Sequence, residues 1–100
     1  MTAGELRTTL RVPATHPALR GHFPGRPLVP AVLLLEAAAM LLQEQGLRVV
    51  GIERAKFLAP LQPRQAATLR IWPRTTTDWQ FAIDRAEMAI ARGVLRVAAA

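Results

Sequence analysis

The chain contains no cysteine, which excludes disulfides, thiolate metal sites and cysteine nucleophiles at once. Acidic residues are scarce: seven Asp and Glu stand against thirteen Lys and Arg, for a formal charge of +6. Such a surplus steers acidic partners toward the surface without dictating a fold, so nucleic acid, anionic lipid and an acidic carrier protein all qualify on this ground. No apolar run approaches the roughly 20 residues that a membrane span needs. The longest, Leu28 to Leu42, is interrupted by Glu36 and reads as a buried helix. The first ten residues hold no apolar export core, so a cytoplasmic location is expected. Repeats and low-complexity linkers are also missing, apart from the alanines at 98–100.

What is present suits a single domain over residues 1–100. The chain is 51% hydrophobic and 20% charged, enough to build a core, and at this length a partner subunit would add useful burial. Residues 5–12 place Leu6, Thr8, Leu10 and Val12 on one side and Glu5, Arg7, Thr9 and Arg11 on the other, the period-2 pattern of a half-buried strand. Five prolines and two glycines between Pro13 and Pro30 then impose a long, shaped loop without regular structure. Pro30 stands where a helix starts, and Val32 to Gln45 are helix formers that stop at Gly46. Apolar residues surround this segment on nearly every side up to Leu42, which predicts a central helix wrapped by other elements.

Four strands are expected after it: Leu47–Leu58, Ala66–Trp72, Asp78–Asp84 and Met88–Val97, with turns marked by Pro60, Pro63, Pro73 and Thr75–Thr77. The last is preferred as one strand, turning at Arg85–Glu87 and bulged at Gly93. Strand, loop, buried helix and four strands do not alternate as a parallel α/β sheet requires. The expected fold is α+β, one antiparallel sheet folded around one apolar helix, with its edges covered by a second copy.

Two polar groups stand in the least polar part of the chain, His22 within Gly21-His22-Phe23-Pro24-Gly25 and Glu36 within the helix. A carboxyl group held in apolar surroundings favours its neutral, proton-donating form. A histidine on a rigid Pro/Gly loop accepts a proton near neutrality. Such a pair suits proton removal beside a carbonyl with loss of a β-hydroxyl, and the free N–H groups of Ala31 and Val32 at the positive end of the helix suit the developing oxyanion.

The run Gly21-His22-Phe23-Pro24-Gly25-Arg26-Pro27-Leu28-Val29-Pro30-Ala31, ending at Glu36, closely resembles the signature of the β-hydroxyacyl-ACP dehydratases of fatty acid synthesis. Ile52 to Pro63 looks like a further strand of that family, so the resemblance spans about residues 8 to 97. It implies the hot-dog fold and a dimer with active sites between subunits. His22 of one subunit would be the base, and Glu36 of the other the acid that protonates the departing hydroxyl. It further implies no cofactor and no metal, a substrate thioester delivered by an acyl carrier protein, and a trans-2-enoyl product. Phe23, Gly25, Ala31, Val32 and Met40 would line the substrate, and Arg20, Arg26, Arg54 and Lys56 would meet the carrier.

Ala31 replaces the family's glycine but keeps the amide; alanine is costly there only if the position needs positive φ. Met40 replaces a common glutamine, and Pro63-Arg64-Gln65 replaces a Pro-Gly-Asp turn, a change expected to be structural. The chain begins about where shorter family members begin, which suggests a specialised pathway such as aryl-polyene synthesis, or a subunit that depends on a second dehydratase-like chain. His16 is expected in a solvated turn, and Trp72, Trp79 and Phe81 in sheet packing. Competing readings are a small basic nucleic-acid-binding module, disfavoured by arginines spread along the chain, and a hot-dog thioesterase, disfavoured by the Gly-His-Phe-Pro-Gly loop.

Overall fold

The computed structural model describes residues 4–19 and 28–100. Strand β1 (Leu6–Leu10) is shorter than its alternating pattern. Its ladder ends where Leu10 pairs with Ala67. Beyond it, Val12 is buried and its carbonyl accepts a hydrogen bond from the Arg64 N–H at 2.7 Å. The proline-rich segment was expected to be irregular, yet it contains one 3-10 turn, Pro17–Leu19. His16 shapes that turn through its backbone, its N–H donating to Pro13 O and its carbonyl accepting from Leu19 N–H, each at 3.0 Å.

Helix α1 (Ala31–Gln43) starts one residue after Pro30, which is its N-cap in extended conformation (φ −62°, ψ 144°). It ends two residues before the predicted limit because Gly46 takes φ +75° and turns the chain into the next strand. Leu34, Ala38 and Leu42, spaced four apart, are its buried face. They join Leu69, Ile71, Phe81, Ile83 and Leu95 in one core, and each large side chain so buried contributes roughly 1.5–3 kcal/mol.

The predicted wrapping on every side does not occur within one chain. Opposite the buried face, Val32 is 58% exposed and Met40 67% exposed, with exposed Glu36 between them. A single sheet can cover only one side of a helix.

Strands β2 (Leu47–Phe57), β3 (Ala67–Pro73), β4 (Asp78–Arg85) and β5 (Met88–Ala99) agree with the pattern to within two residues at each end. They join β1 in one antiparallel sheet of order β1-β3-β4-β5-β2. Long β2 is therefore an edge, and its register with β5 slips between Val49 and Gly51 and again between Ile52 and Arg54. β5 is one strand, as preferred, but its irregularity lies near Ile90, where pairing passes from Ala91 opposite Ile83 to Ala89 opposite Asp84. The bulge predicted at Gly93 is absent, because Gly93 serves close packing instead. A Cβ there would lie 2.4 Å from the Arg54 carbonyl oxygen and 2.6 Å from the Phe81 ring. Phe81 is buried and Trp79 packs against the same core, whereas Trp72 lies on the other side of the sheet with the Arg70 guanidinium 5.6 Å from its ring centre.

Arg64 has φ +72°, the left-handed conformation, at the place where the resembled family carries glycine. Its turn is held by the Gln62 N–H, which donates to Gln65 Oε1 at 2.9 Å. Two stability measurements follow from these backbones. Gly93→Ala should cost about 2–3 kcal/mol in chemical denaturation, as overpacking against backbone does. Arg64→Gly should add about 0.5–1 kcal/mol by relieving left-handed strain, and a loss of stability would contradict that account.

Candidate active site

The start of α1 opens into a cavity of about 380 Å³ that includes Pro30, Ala31, Leu34, Phe57, Leu58 and Leu61 in its lining. The loop before the helix is pinned to this cavity's far wall, where the Val29 N–H donates to the Leu61 carbonyl at 2.8 Å. The first intrahelical bond is Leu33 N–H to Pro30 O at 3.0 Å. The amides of Ala31 and Val32 precede it, and the N-cap residue Pro30 makes no side-chain capping bond. Amides in this position have no partner within their own helix and share the partial positive charge of its start. Among the described residues only Arg64 and Ala86 combine a side chain with positive φ, so Ala31 meets no conformational penalty where the family has glycine.

Glu36 lies one turn beyond Val32 and one before Met40, so the three form an exposed stripe on one side of α1. The desolvation expected of Glu36 is thus not supplied by its own chain. Nearby on the sequence of β2 and just after it, Ile52, Phe57 and Leu58 are also about half exposed. Large apolar groups left open on a helix face and an edge strand form a surface that ordinarily meets another chain.

His22, Phe23, Gly25, Arg20 and Arg26 lie outside the described residues. Arg54 and Lys56 sit on the sheet face turned away from α1, opposite Val94 and Arg92 of β5. They therefore do not gather with Glu36. They border a second cavity of about 520 Å³ together with Arg74, Gln80 and Arg92. Arg92 and Arg74 escaped the sequence reading because only cross-strand register brings Arg92 beside Lys56, and only the folded sheet brings Arg74, in the turn after β3, to the same cavity. Leu58 lines both cavities. Among the described residues no three of His, Asp and Glu gather to hold a metal ion, and no helix is long and apolar enough to cross a membrane.

Comparison with solved structures identifies this architecture as a hot-dog fold. The dehydratase heterocomplex ApeI:P from Xenorhabdus doucetiae superposes with a TM-score of 0.84 at 28% identity, over 96% of this chain and 88% of that one. The fluoroacetyl-CoA-specific thioesterase FlK superposes at 0.74 with 15% identity, over 98% and 94% of the two chains, a likeness of fold alone. The chain belongs to the ApeI-like family, described as ApeI dehydratase, whose profile matches residues 1–94. The 3-hydroxyacyl-[acyl-carrier-protein] dehydratase FabZ of Pectobacterium atrosepticum is 30% identical over 104 residues, covering 92% of this chain and 64% of the relative. That of Verminephrobacter eiseniae is 38% identical over 82 residues, covering 66% and 53%. The chain thus spans less than two thirds of the length of these curated relatives.

Proposed function

We propose that this chain dehydrates a (3R)-3-hydroxyacyl thioester carried by an acyl carrier protein, giving the trans-2-enoyl thioester, in cytoplasmic fatty acid or specialised lipid synthesis. The observation that carries this reading is the placement of Glu36 on an unpartnered, otherwise apolar stripe of α1, while Ala31 and Leu34 of the same helix line a cavity at its start. A second hot-dog chain laid on that stripe would bury Glu36 between Val32 and Met40 and provide the desolvation that one chain lacks. The relatives named for dehydration of 3-hydroxyacyl carrier-protein thioesters support the chemistry.

In the proposed reaction His22 takes the proton from the carbon beside the thioester carbonyl. The electron pair moves onto the carbonyl oxygen, where the Ala31 and Val32 amides stabilise it. As it returns, the C2–C3 double bond forms and the C3–O bond breaks, and Glu36 of the partner gives its proton so that the hydroxyl leaves as water. His22 ends protonated and Glu36 ionised, and proton exchange with solvent resets both. The substrate's own thioester activates the α-proton, so this scheme uses no cofactor.

The partner is a second copy or a different hot-dog chain. The Xenorhabdus doucetiae dehydratase is itself a heterocomplex, which favours testing both. Met40→Glu should leave a single chain folded, since the side chain is exposed, yet shift the assembly toward monomers in light scattering. An unchanged mass would sink the proposed interface.

Activity is tested by mass spectrometry of a 3-hydroxyacyl carrier-protein thioester incubated with the assembled protein. Loss of water is expected, with His22→Ala and Glu36→Gln each slower by about 10²–10⁴. Ala31→Pro removes the amide while Pro30 already has the extended backbone that a following proline requires. It should slow turnover by about 10²–10³ without unfolding the chain. Release of free thiol in place of water would indicate a thioesterase instead.

A further inference from the structure

Two backbone hydrogen bonds tie the proline-rich segment to one short turn. Before it, the Val12 carbonyl accepts from the Arg64 N–H at 2.7 Å, and at its other end the Val29 N–H donates to the Leu61 carbonyl at 2.8 Å. Val12 and Val29 are both buried, so each bond fixes an anchor that the core also holds. The turn is closed by Gln62 and Gln65: the Gln65 N–H donates to the Gln62 carbonyl at 3.2 Å, and Gln65 Oε1 accepts from the Gln62 N–H at 2.9 Å. Leu61 to Arg64 is therefore a clamp on both ends of the stretch of sequence that contains His22.

Arg64 and Gln65 of that clamp border a cavity of about 510 Å³, which Arg11, Arg85 and Ala86 also line and no acid does. All seven acids of the chain lie among the described residues. Those in ion pairs, Glu5, Glu53, Asp78 and Asp84, hold Arg7, Arg70, Arg92 and Arg96. Among the described residues Arg11, Arg64 and Arg85 have no ion pair, and Glu87, although next to Ala86, does not line the cavity. Three guanidinium groups thus share one space uncompensated, and like charges held together repel. Relative to the Pro-Gly-Asp turn it replaces, Pro63-Arg64-Gln65 adds one cation and removes one acid beside this space. Arg64 holds its place at φ +72°. Glycine would hold that turn at lower cost, so what arginine supplies there is its guanidinium.

We infer that Arg11, Arg64 and Arg85 form a binding site for a phosphate-type oxyanion, and that the bound anion fastens the clamp. The three cations come from three segments: the residue after β1, the turn before β3, and the hairpin between β4 and β5. A terminal phosphate presents three oxygens, one for each arginine, whereas a carboxylate presents two. Gln65 adds a donor, because its Oε1 is taken up in the turn and its amide nitrogen is left over. Arg11 adjoins Val12, so an anion held by Arg11 and Arg64 braces the same two stretches of chain that the 2.7 Å bond joins. Arg85 ties both to the sheet. The lining lies on neither the Val32-Glu36-Met40 stripe nor β2, so the site does not depend on the assembly proposed for that stripe. Through Leu61 the brace extends to Val29 and the start of α1, and its meaning for turnover rests on the dehydratase reading.

The test is thermal unfolding of the full chain in inorganic phosphate and in chloride at equal ionic strength. Phosphate should raise the melting temperature saturably, and exchange of the Val29 and Arg64 amide hydrogens should slow about threefold or more. Arg85→Gln and Arg64→Gly should each weaken phosphate about tenfold or more, although Arg64→Gly keeps the turn and is itself the more stable chain. Arg48→Gln, which removes a cation far from this cavity, should leave the response unchanged. Vesicles of phosphatidylcholine with and without phosphatidic acid separate the two sources of such an anion. Retention on phosphatidic acid that is lost in the same two variants assigns a lipid headgroup, and a response to free phosphate without retention assigns a soluble one. No response to either, or an equal loss in Arg48→Gln, would overturn the site. So would an oligoglutamate peptide that binds through these arginines more tightly than phosphate. A melting shift with unchanged exchange at Val29 and Arg64 would overturn the fastening of the clamp. None of these readouts needs turnover, so a protein that responds to phosphate and releases no water from any hydroxyacyl thioester upholds the site and ends the dehydratase reading.

Discussion

A helix with too little polar surface governs this structure. Between Ala31 and Leu42 of α1 the one polar side chain is Glu36. Two stripes run along it, Leu34-Ala38-Leu42 and Val32-Glu36-Met40, about 200° apart at 100° per residue. The sheet buries the first and cannot reach the second. The same constraint explains why the long strand β2 is left at an edge with Ile52 and Phe57 open. Helix face and strand edge are parts of one unfinished core, and a carboxyl group sits within it.

Electrostatics on the opposite face follow from register. Antiparallel pairing sets Arg70 and Arg92 on either side of Ala82, and Asp84, two residues along β4, reaches both. Gly93 then matters beyond packing. Its missing side chain lets the Arg54 carbonyl and the Phe81 ring approach β5, which brings β2 and its cations against Arg92. The cavity lined by Arg54, Lys56, Arg74 and Arg92 lies along these same strands.

The alternation of apolar residues was sufficient to place all five strands, and the proline and glycine punctuation placed the helix between them, because local backbone preferences and a single buried face agree. Where expectation and structure part, a non-local contact is the cause. β1 stops early because Val12 turns to Arg64. The bulge moves from Gly93 to Ile90 because glycine there is needed for closeness. Glu36 was legible as a candidate acid from its apolar neighbours, yet apolar neighbours in sequence do not bury a side chain that faces away from its own sheet. The arginines looked dispersed along the chain, and the sheet collects several of them into one cavity.

By itself the sequence determined the elements, their order, the start of α1 after Pro30, and the family signature ending at Glu36. These depend on residue type and short spacing, which a linear chain already contains. The tertiary structure decided which stripe of the helix is covered, that Ala31 sits in ordinary helical backbone, and that Arg54, Lys56, Arg74 and Arg92 share one cavity. Those facts depend on sheet order and strand register, which arise from contacts between residues far apart in the chain.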